Sequence, residues 1–251
     1  MGREAARVIA TQLRQRLSAQ ERVRVVFAAA PSQSAMLEGL QNEPGIDWQR
    51  VTAFHMDEYL GLPDDAPQLF SSWLRDHIFD RIPLGEVHLI VPGNDPVKAA
   101  AAYAQKLDET PIDIVLAGIG VNGHLAFNDP PADLHDAASV KIVHLDETCR
   151  RQQVNDGCFP TLDQVPLQAI TLTIPRLLAC DLILCCVPGA AKKQAALRTL
   201  HDRISGDCPA TALRQHKQCL LYLDAESAPE GMQTNDEYWR VVDSMSDRQG
   251  R

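Results

Sequence analysis

An α/β fold with a largely parallel central sheet and helices on both faces is predicted by three features of this chain. Short apolar, β-branched runs alternate along it with segments whose apolar residues recur at three and four. The run Ile112 to Ala117 alternates too little for a half-exposed strand and reads as buried on both faces, as parallel strands are. No linker-like stretch divides the 251 residues, and 45% hydrophobic with 23% charged residues is enough for one large core. A single layered domain over residues 1–251 is therefore expected.

The elements follow in order. Met1 to Gln20 carries Arg3, Arg7, Arg14 and Arg16 without an uninterrupted apolar core, so it is not a secretory signal. Val23 to Ala29 is the first expected strand, and Ser34 to Gln41 the helix after it. Val51 to His55 and Val87 to Val91 are the next strands, and Pro96 to Leu107 the next helix. Ile112 to Ala117 and Val140 to Leu145 follow as strands, then a helix over Asp146 to Val154. The strands Ala169 to Thr173 and Leu182 to Val187, the helix Ala190 to His201 and the strand Cys219 to Leu223 complete the pattern. The tail from Ser244 reads as frayed.

Composition narrows the function. A net charge of −9 and the lack of a lysine and arginine stripe argue against nucleic acid as a partner. No apolar run reaches membrane-spanning length. The seven cysteines contain no C-x-x-C pair and do not alternate with histidines at zinc spacing, so they read as thiols of a reduced, cytoplasmic protein. A small-molecule ligand is expected, with the chain folding alone or as a homo-oligomer.

Two segments carry chemistry. The glycine-rich stretch Gly118-Ile119-Gly120-Val121-Asn122-Gly123-His124-Leu125-Ala126-Phe127-Asn128-Asp129-Pro130 follows a buried strand, at whose carboxyl end α/β proteins bind ligands. Its glycines permit a sharp turn and a close approach to a ligand, which places His124 at the mouth of a cleft. The strand Val51 to His55 leads into Met56-Asp57-Glu58-Tyr59, two adjacent carboxylates of which Asp57 is placed to act as a general base. A purely structural reading would instead have Asp57 cap the next turn, Glu58 solvated, and His124 merely cap the glycine-rich turn.

Together these segments resemble the glucosamine-6-phosphate deaminases, which share a fold with the 6-phosphogluconolactonases; the likeness runs from about Val23 to Ala225. Phe54-His55-Met56-Asp57-Glu58-Tyr59-Leu60-Gly61-Leu62 is similar to the deaminase block F-x-M-D-E-Y-x-G-L, and Gly118 to Pro130 to G-x-G-x-D-G-H-I-A-F-N-E-P. Met56-Asp57-Glu58-Tyr59 and Ala126-Phe127-Asn128 favour the deaminase branch. The resemblance implies a cytoplasmic enzyme that converts glucosamine 6-phosphate and water to fructose 6-phosphate and ammonia, with no metal or organic cofactor. Asp57 would move the proton between C2 and C1, and His124 would assist ring opening. The alternatives are a lactonase-type hydrolase and a non-catalytic sugar-phosphate-binding protein. A DNA-binding regulator is disfavoured, since only about twenty residues precede the first strand, too few for a helix-turn-helix unit.

This chain departs from the family at several positions. Where the family orients its histidine with an aspartate two residues before and a glutamate five after, Asn122 and Asp129 stand here. They remain the expected partners of His124, Asn122 through a direct hydrogen bond to the imidazole. The family's T/S-G-G-T/S-P phosphate turn is replaced by Ala28-Ala29-Ala30-Pro31-Ser32-Gln33-Ser34, in which Ser32 and Ser34 are the expected phosphate ligands at a helix start. Gly120 is expected against the substrate. Pro188-Gly189-Ala190-Ala191-Lys192 resembles the family's G-x-x-K segment and nominates Lys192 as the phosphate counter-charge. The family's arginine after the fifth strand has no clean counterpart in Arg150 to Asp156; Arg151 is the nominee, with an exposed charge pair as its alternative.

Overall fold

The structure, a computed structural model, describes residues 1–230; the expected frayed tail from Ser244 lies outside the described residues. The chain opens with α1 (Gly2–Ala19), whose buried Ala5, Ala6, Ile9, Ala10, Leu13 and Leu17 recur at three and four and form one apolar stripe. Then come β1 (Val23–Phe27), α2 (Ser34–Gln41), β2 (Val51–His55), β3 (Asp57–Tyr59), α3 (Phe70–Leu74), β4 (Glu86–His88) and α4 (Pro96–Asp108). The remainder is β5 (Ile112–Ala117), β6 (Val140–His144), α5 (Glu147–Asn155), β7 (Gln168–Leu172), α6 (Ile174–Leu178), β8 (Cys180–Val187), α7 (Lys193–His201) and β9 (Cys219–Leu223).

Six strands form a sheet in the order β4-β2-β1-β5-β8-β9, and every pairing in it is parallel. Its two faces are buried separately. Val25 and Phe27 of β1 point into an apolar cluster with α1 and α2, while Val26 joins Ala100, Tyr103 and Leu107 of α4 in a second cluster on the opposite face. This is the alternation that a strand covered on both sides must show.

Two expected strands sit elsewhere. β6 and β7 pair antiparallel with each other, Val140 opposite Leu172, and β7 also pairs antiparallel with β3. They build a three-stranded sheet, β3-β7-β6, beside the parallel one. The burial of β6 differs from that of its parallel counterparts, since Lys141, Ile142 and Val143 are only half-buried and His144 is exposed. A strand covered on one side belongs in an antiparallel sheet that can face water. β4 also ends earlier than expected, because the Ile90 N–H donates to the His55 Nε2 rather than to a neighbouring strand.

The strand order places the ligand crevice. From β1 the chain builds outward through β2 to β4, then returns to lay β5 on the other side of β1 and builds away through β8 to β9. The loops leaving β1 and β5 therefore diverge, and a cleft opens at the carboxyl ends of those strands.

Candidate active site

Ser32, Asp57, Gly120, His124 and Lys192 line one pocket at this switch point. Each arrives from a different strand end: Ser32 after β1, Asp57 after β2, the Gly118 to His124 turn after β5 and Lys192 after β8. A bend at Met56 turns the chain out of β2, so Asp57 begins β3 rather than ending β2.

The Asp57 carboxylate is 6% exposed and makes no hydrogen bond or ion pair to a described residue. Burial, reinforced by the neighbouring Glu58, pushes its carboxyl well above the usual carboxylate range. Glu58 is itself fully buried, which rules out the alternative reading in which it is solvated. It accepts from the backbone N–H groups of Tyr59, Phe70 and Ser71 at 3.0, 2.9 and 2.8 Å, and so pins the start of α3 to β3. The adjacent carboxylates therefore have separate duties, one structural and one facing the pocket.

The glycine-rich turn shapes the histidine's seat. Gly120 N–H donates to the His124 carbonyl at 3.0 Å, and Gly123, at φ +88°, closes the turn by donating to the Gly120 carbonyl. A Cβ on Gly120 would fall 2.2 Å from the His124 ring, so the imidazole lies directly over that backbone and only glycine admits it. His124 Nδ1 is 3.1 Å from Asp129 Oδ1, which leaves Nε2 as the nitrogen available to the pocket. Although burial opposes it, the contact with His124, with help from Asn122 and the Asp146 N–H, holds the Asp129 carboxyl below its usual range.

Asn122 is not placed as expected. Its Nδ2 donates to Asp129 Oδ1 at 3.0 Å and its Oδ1 accepts from the His124 backbone N–H at 3.1 Å. The asparagine thus orients the imidazole through Asp129 rather than by touching the ring. After His124 the chain makes a tight turn, Leu125 to Asn128, with Ala126 at φ +48°. The turn is tied to β7 by Phe127 N–H to Thr171 Oγ1 and by the Asn128 amide to the Leu172 carbonyl. Phe127 also stacks on Phe70 and packs against Tyr59, an aromatic base shared by the Asp57 and His124 segments.

Lys192 sits in a short 3₁₀ turn after β8, and the Gly189 N–H at the head of that turn donates to the Asp224 carboxylate at 3.0 and 3.1 Å. The lysine is 8% exposed, its ammonium has no hydrogen bond or ion pair to a described residue, and burial lowers its pKa. Ser32 lines the same pocket, its Oγ accepting from Gln33 Nε2 at 3.1 Å. Ser34 opens α2 but does not line the pocket.

Arg151 points elsewhere. It pairs with Glu147 one helical turn back, with an N···O distance of 2.8 Å and a side chain 63% exposed, so it forms the solvated charge pair rather than a phosphate contact. The residues that α5 does turn inward are Gln152 and Gln153, both buried pocket-liners. Gln152 Oε1 accepts from the Val121 N–H at 2.9 Å and braces the glycine-rich turn. Neither is among the residues expected at the site, yet Cys149, Gln152 and Gln153 recur at three and four and mark the inward face of this helix.

Among the described residues, one group has the spacing to hold a metal: ligand atoms of His124, Asp129 and Cys149 all lie within 4.8 Å of one another. Burial pushes the Cys149 thiol far up, aided by the charge of Asp129, which favours the protonated sulfur over the thiolate that metals bind. The carboxylate also already accepts from Asn122 and the Asp146 N–H. This arrangement suits a hydrogen-bonded support for the histidine.

A pocket that sets a buried carboxylate and a carboxylate-paired imidazole at a parallel-sheet switch point can be compared with known proteins. The family described as glucosamine-6-phosphate isomerases/6-phosphogluconolactonase matches residues 1–222. The chain belongs to this family. Among curated relatives it is 33% identical over 184 residues to a glucosamine-6-phosphate deaminase of Exiguobacterium sibiricum, covering 73% of this chain and 71% of the relative. It is 34% identical over 193 residues to glucosamine-6-phosphate deaminase 1 of Bacillus subtilis, covering 75% and 78%. Among solved structures, a monomeric glucosamine-6-phosphate deaminase superposes with a TM-score of 0.82 at 26% identity over 90% of this chain and 93% of that one. A 6-phosphogluconolactonase of Thermotoga maritima gives 0.69 at 21% identity, over 87% and 92%, and shares the fold. No helix among the described residues is long and apolar enough to cross a membrane.

Proposed function

We propose that this family member is a glucosamine-6-phosphate deaminase, converting glucosamine 6-phosphate and water to fructose 6-phosphate and ammonia. One observation carries the reading: Asp57 and His124, both more than nine-tenths buried, present a free carboxylate and a free imidazole nitrogen to the same pocket.

The chemistry follows from that pair. His124 Nε2 moves a proton on or off the ring oxygen as the sugar opens, and Asp129, steadied by Asn122, balances the charge that the ring gains. Asp57 takes the proton from C2, giving an enolic amine, and returns it at C1. The resulting ketimine carbon is attacked by water and the C–N bond breaks, releasing ammonia and leaving the ketose. Burial suits Asp57 to this task, because a carboxyl held above its ordinary range is a stronger base once ionised. Ser32 and Lys192 meet the phosphate at the other end, and Gly120 gives the backbone room for His124. Each step is a proton transfer or a hydrolysis, for which these side chains suffice. All seven cysteines are unpaired, which supports a reduced, cytoplasmic setting.

The test is direct. Incubation with glucosamine 6-phosphate should yield fructose 6-phosphate and ammonia in equal amounts. Hydrolysis of 6-phosphogluconolactone without ammonia release from any amino-sugar phosphate would replace this reading with the lactonase one.

A further inference from the structure

The pocket holds a polar side chain that the mechanism does not use. Gln153 is 7% exposed, lines the wall, and its side-chain amide has no hydrogen-bond partner among the described residues. The residue is packed while its amide atoms stay open to the pocket, so they are available to a ligand that enters it. Its neighbour Gln152 differs, since both ends of that amide are engaged, with the Val121 N–H and with Asp156 Oδ2.

The position of Gln153 indicates which part of a ligand it meets. Lys192, Ser32 and Gln153 line the same pocket, and Asp156, three residues beyond Gln153, lies near enough for its charge to act on the lysine. In the loop after β1, Pro31 carries no N–H and the Gln33 N–H is spent on the Ala30 carbonyl. Gln33 Nε2 divides itself between Ser32 Oγ and the Cys186 carbonyl, so the Ser32 hydroxyl accepts from Gln33 and has its own proton free for a ligand. Among side chains, one ammonium and one hydroxyl satisfy only part of a phosphate group's oxygens, which leaves a place for a further side-chain donor.

We propose that Gln153 is a substrate-binding residue whose side-chain amide donates to the anionic group held by Lys192 and Ser32, and so sets the specificity of this end of the pocket. The proposal rests on the deaminase reading only for the identity of that anion as a sugar phosphate. A neutral amide here supplies direction without adding charge, so Lys192 is left as the cation of the site and the bound anion is sensitive to any negative charge placed beside it.

Two variants test this. Gln153→Glu keeps the size and replaces a donor with a like charge; it should raise the KM for glucosamine 6-phosphate, and the dissociation constant for inorganic phosphate measured by calorimetry, by about ten- to a hundredfold, leaving kcat within about threefold. Gln153→Ala removes the donor alone and should raise both by about threefold to tenfold. A purely structural glutamine would instead lower kcat or melting temperature and treat phosphate and unphosphorylated glucosamine alike, and that result overturns the proposal. So does equal binding of phosphate by wild type and Gln153→Glu. If wild type binds phosphate, loses it in Gln153→Glu and yet releases no ammonia, the proposal stands and the deaminase reading fails.

Discussion

The two ends of the pocket are built on different principles. At the reaction end, backbone geometry fixes the groups: Gly120 admits the His124 ring, the turn to Asn128 is tied to β7, and Asp57 starts a strand paired to that same β7. At the end proposed to hold phosphate the groups are side chains on three separate segments, Ser32, Lys192 and Gln153, and the loop after β1 carries alanines and a proline where the resemblance leads one to expect glycines. Proton transfer tolerates little misplacement, so the reaction end has few workable solutions. An anion can be held by many combinations of donors, so the other end is free to be rebuilt. Under the proposed function the two ends divide the work, proton transfer at one and anion recognition at the other.

The contrast breaks first if Asp57 is dispensable. Asp57→Asn keeps the shape and removes the base, and should lower kcat for ammonia release by about a hundredfold to ten-thousandfold, with phosphate binding retained. The same substitution should stabilise the fold. A carboxyl whose pKa is raised by folding contributes its stability at low pH and loses it as pH rises from the ordinary carboxylate range through the folded value, so the melting temperatures should coincide below that range and diverge in favour of Asp57→Asn above it. Equal melting curves at every pH would mean that Asp57 is not held in a desolvated seat.

Gly120→Ala should come next. Its Cβ would lie 2.2 Å from the imidazole, so the ring must leave its place. Because small misplacements of catalytic groups cost on the order of a hundredfold, kcat should fall by about that factor while the KM changes little. A wild-type kcat would show that His124 works from another position.

The phosphate end should answer in affinity. Lys192→Ala should weaken binding of the phosphorylated sugar by roughly ten- to a hundredfold, the worth of a charge-assisted hydrogen bond, and leave unphosphorylated glucosamine almost unaffected. Because burial lowers its pKa, the lysine loses its charge earlier than an exposed one as pH rises, so the wild-type KM should climb on the alkaline side and that of Lys192→Ala should not. A KM flat across that range in both proteins would remove Lys192 from the site.

What is readable in the sequence follows the same division. The parallel strands and the helices after them can be read because periodicity reports burial, and burial on both faces is what the central sheet imposes. β6 and β7 fall in a different sheet from the expected one because an apolar run reveals that a strand exists and not which neighbour it pairs with. β3 has three residues, too few for a period, and the stripe of α1 from Ala5 to Leu17 emerges only when that segment is read for its period rather than as a leader. At the site, Asp57 and His124 stand in blocks whose chemistry is local. Asn122 and Arg151 do not: spacing puts the first beside the histidine without showing that Asp129 lies between them, and counting positive charges favours the second over two neutral glutamines on the inward face.

Asn122 offers the smallest and most discriminating effect. Its amide lies 3.0 Å from the Asp129 carboxylate, so Asn122→Asp replaces a donor with a second negative charge. Two carboxylates at that distance resist joint ionisation, and the repulsion is relieved by retaining a proton to higher pH within the cluster of the introduced carboxylate, Asp129 and the imidazole. The pH dependence of kcat should therefore move upward, by about one unit if the added interaction is on the order of 1.4 kcal/mol. Asn122→Ala removes the donor without adding charge; it should lower kcat by about tenfold and move the profile less than Asn122→Asp does, since a hydrogen bond to a carboxylate contributes about 1.5 to 3 kcal/mol and no second charge is introduced. If both variants give the same profile, Asn122 affects the histidine only through the backbone bond to His124, and the charge on Asp129 is set without it.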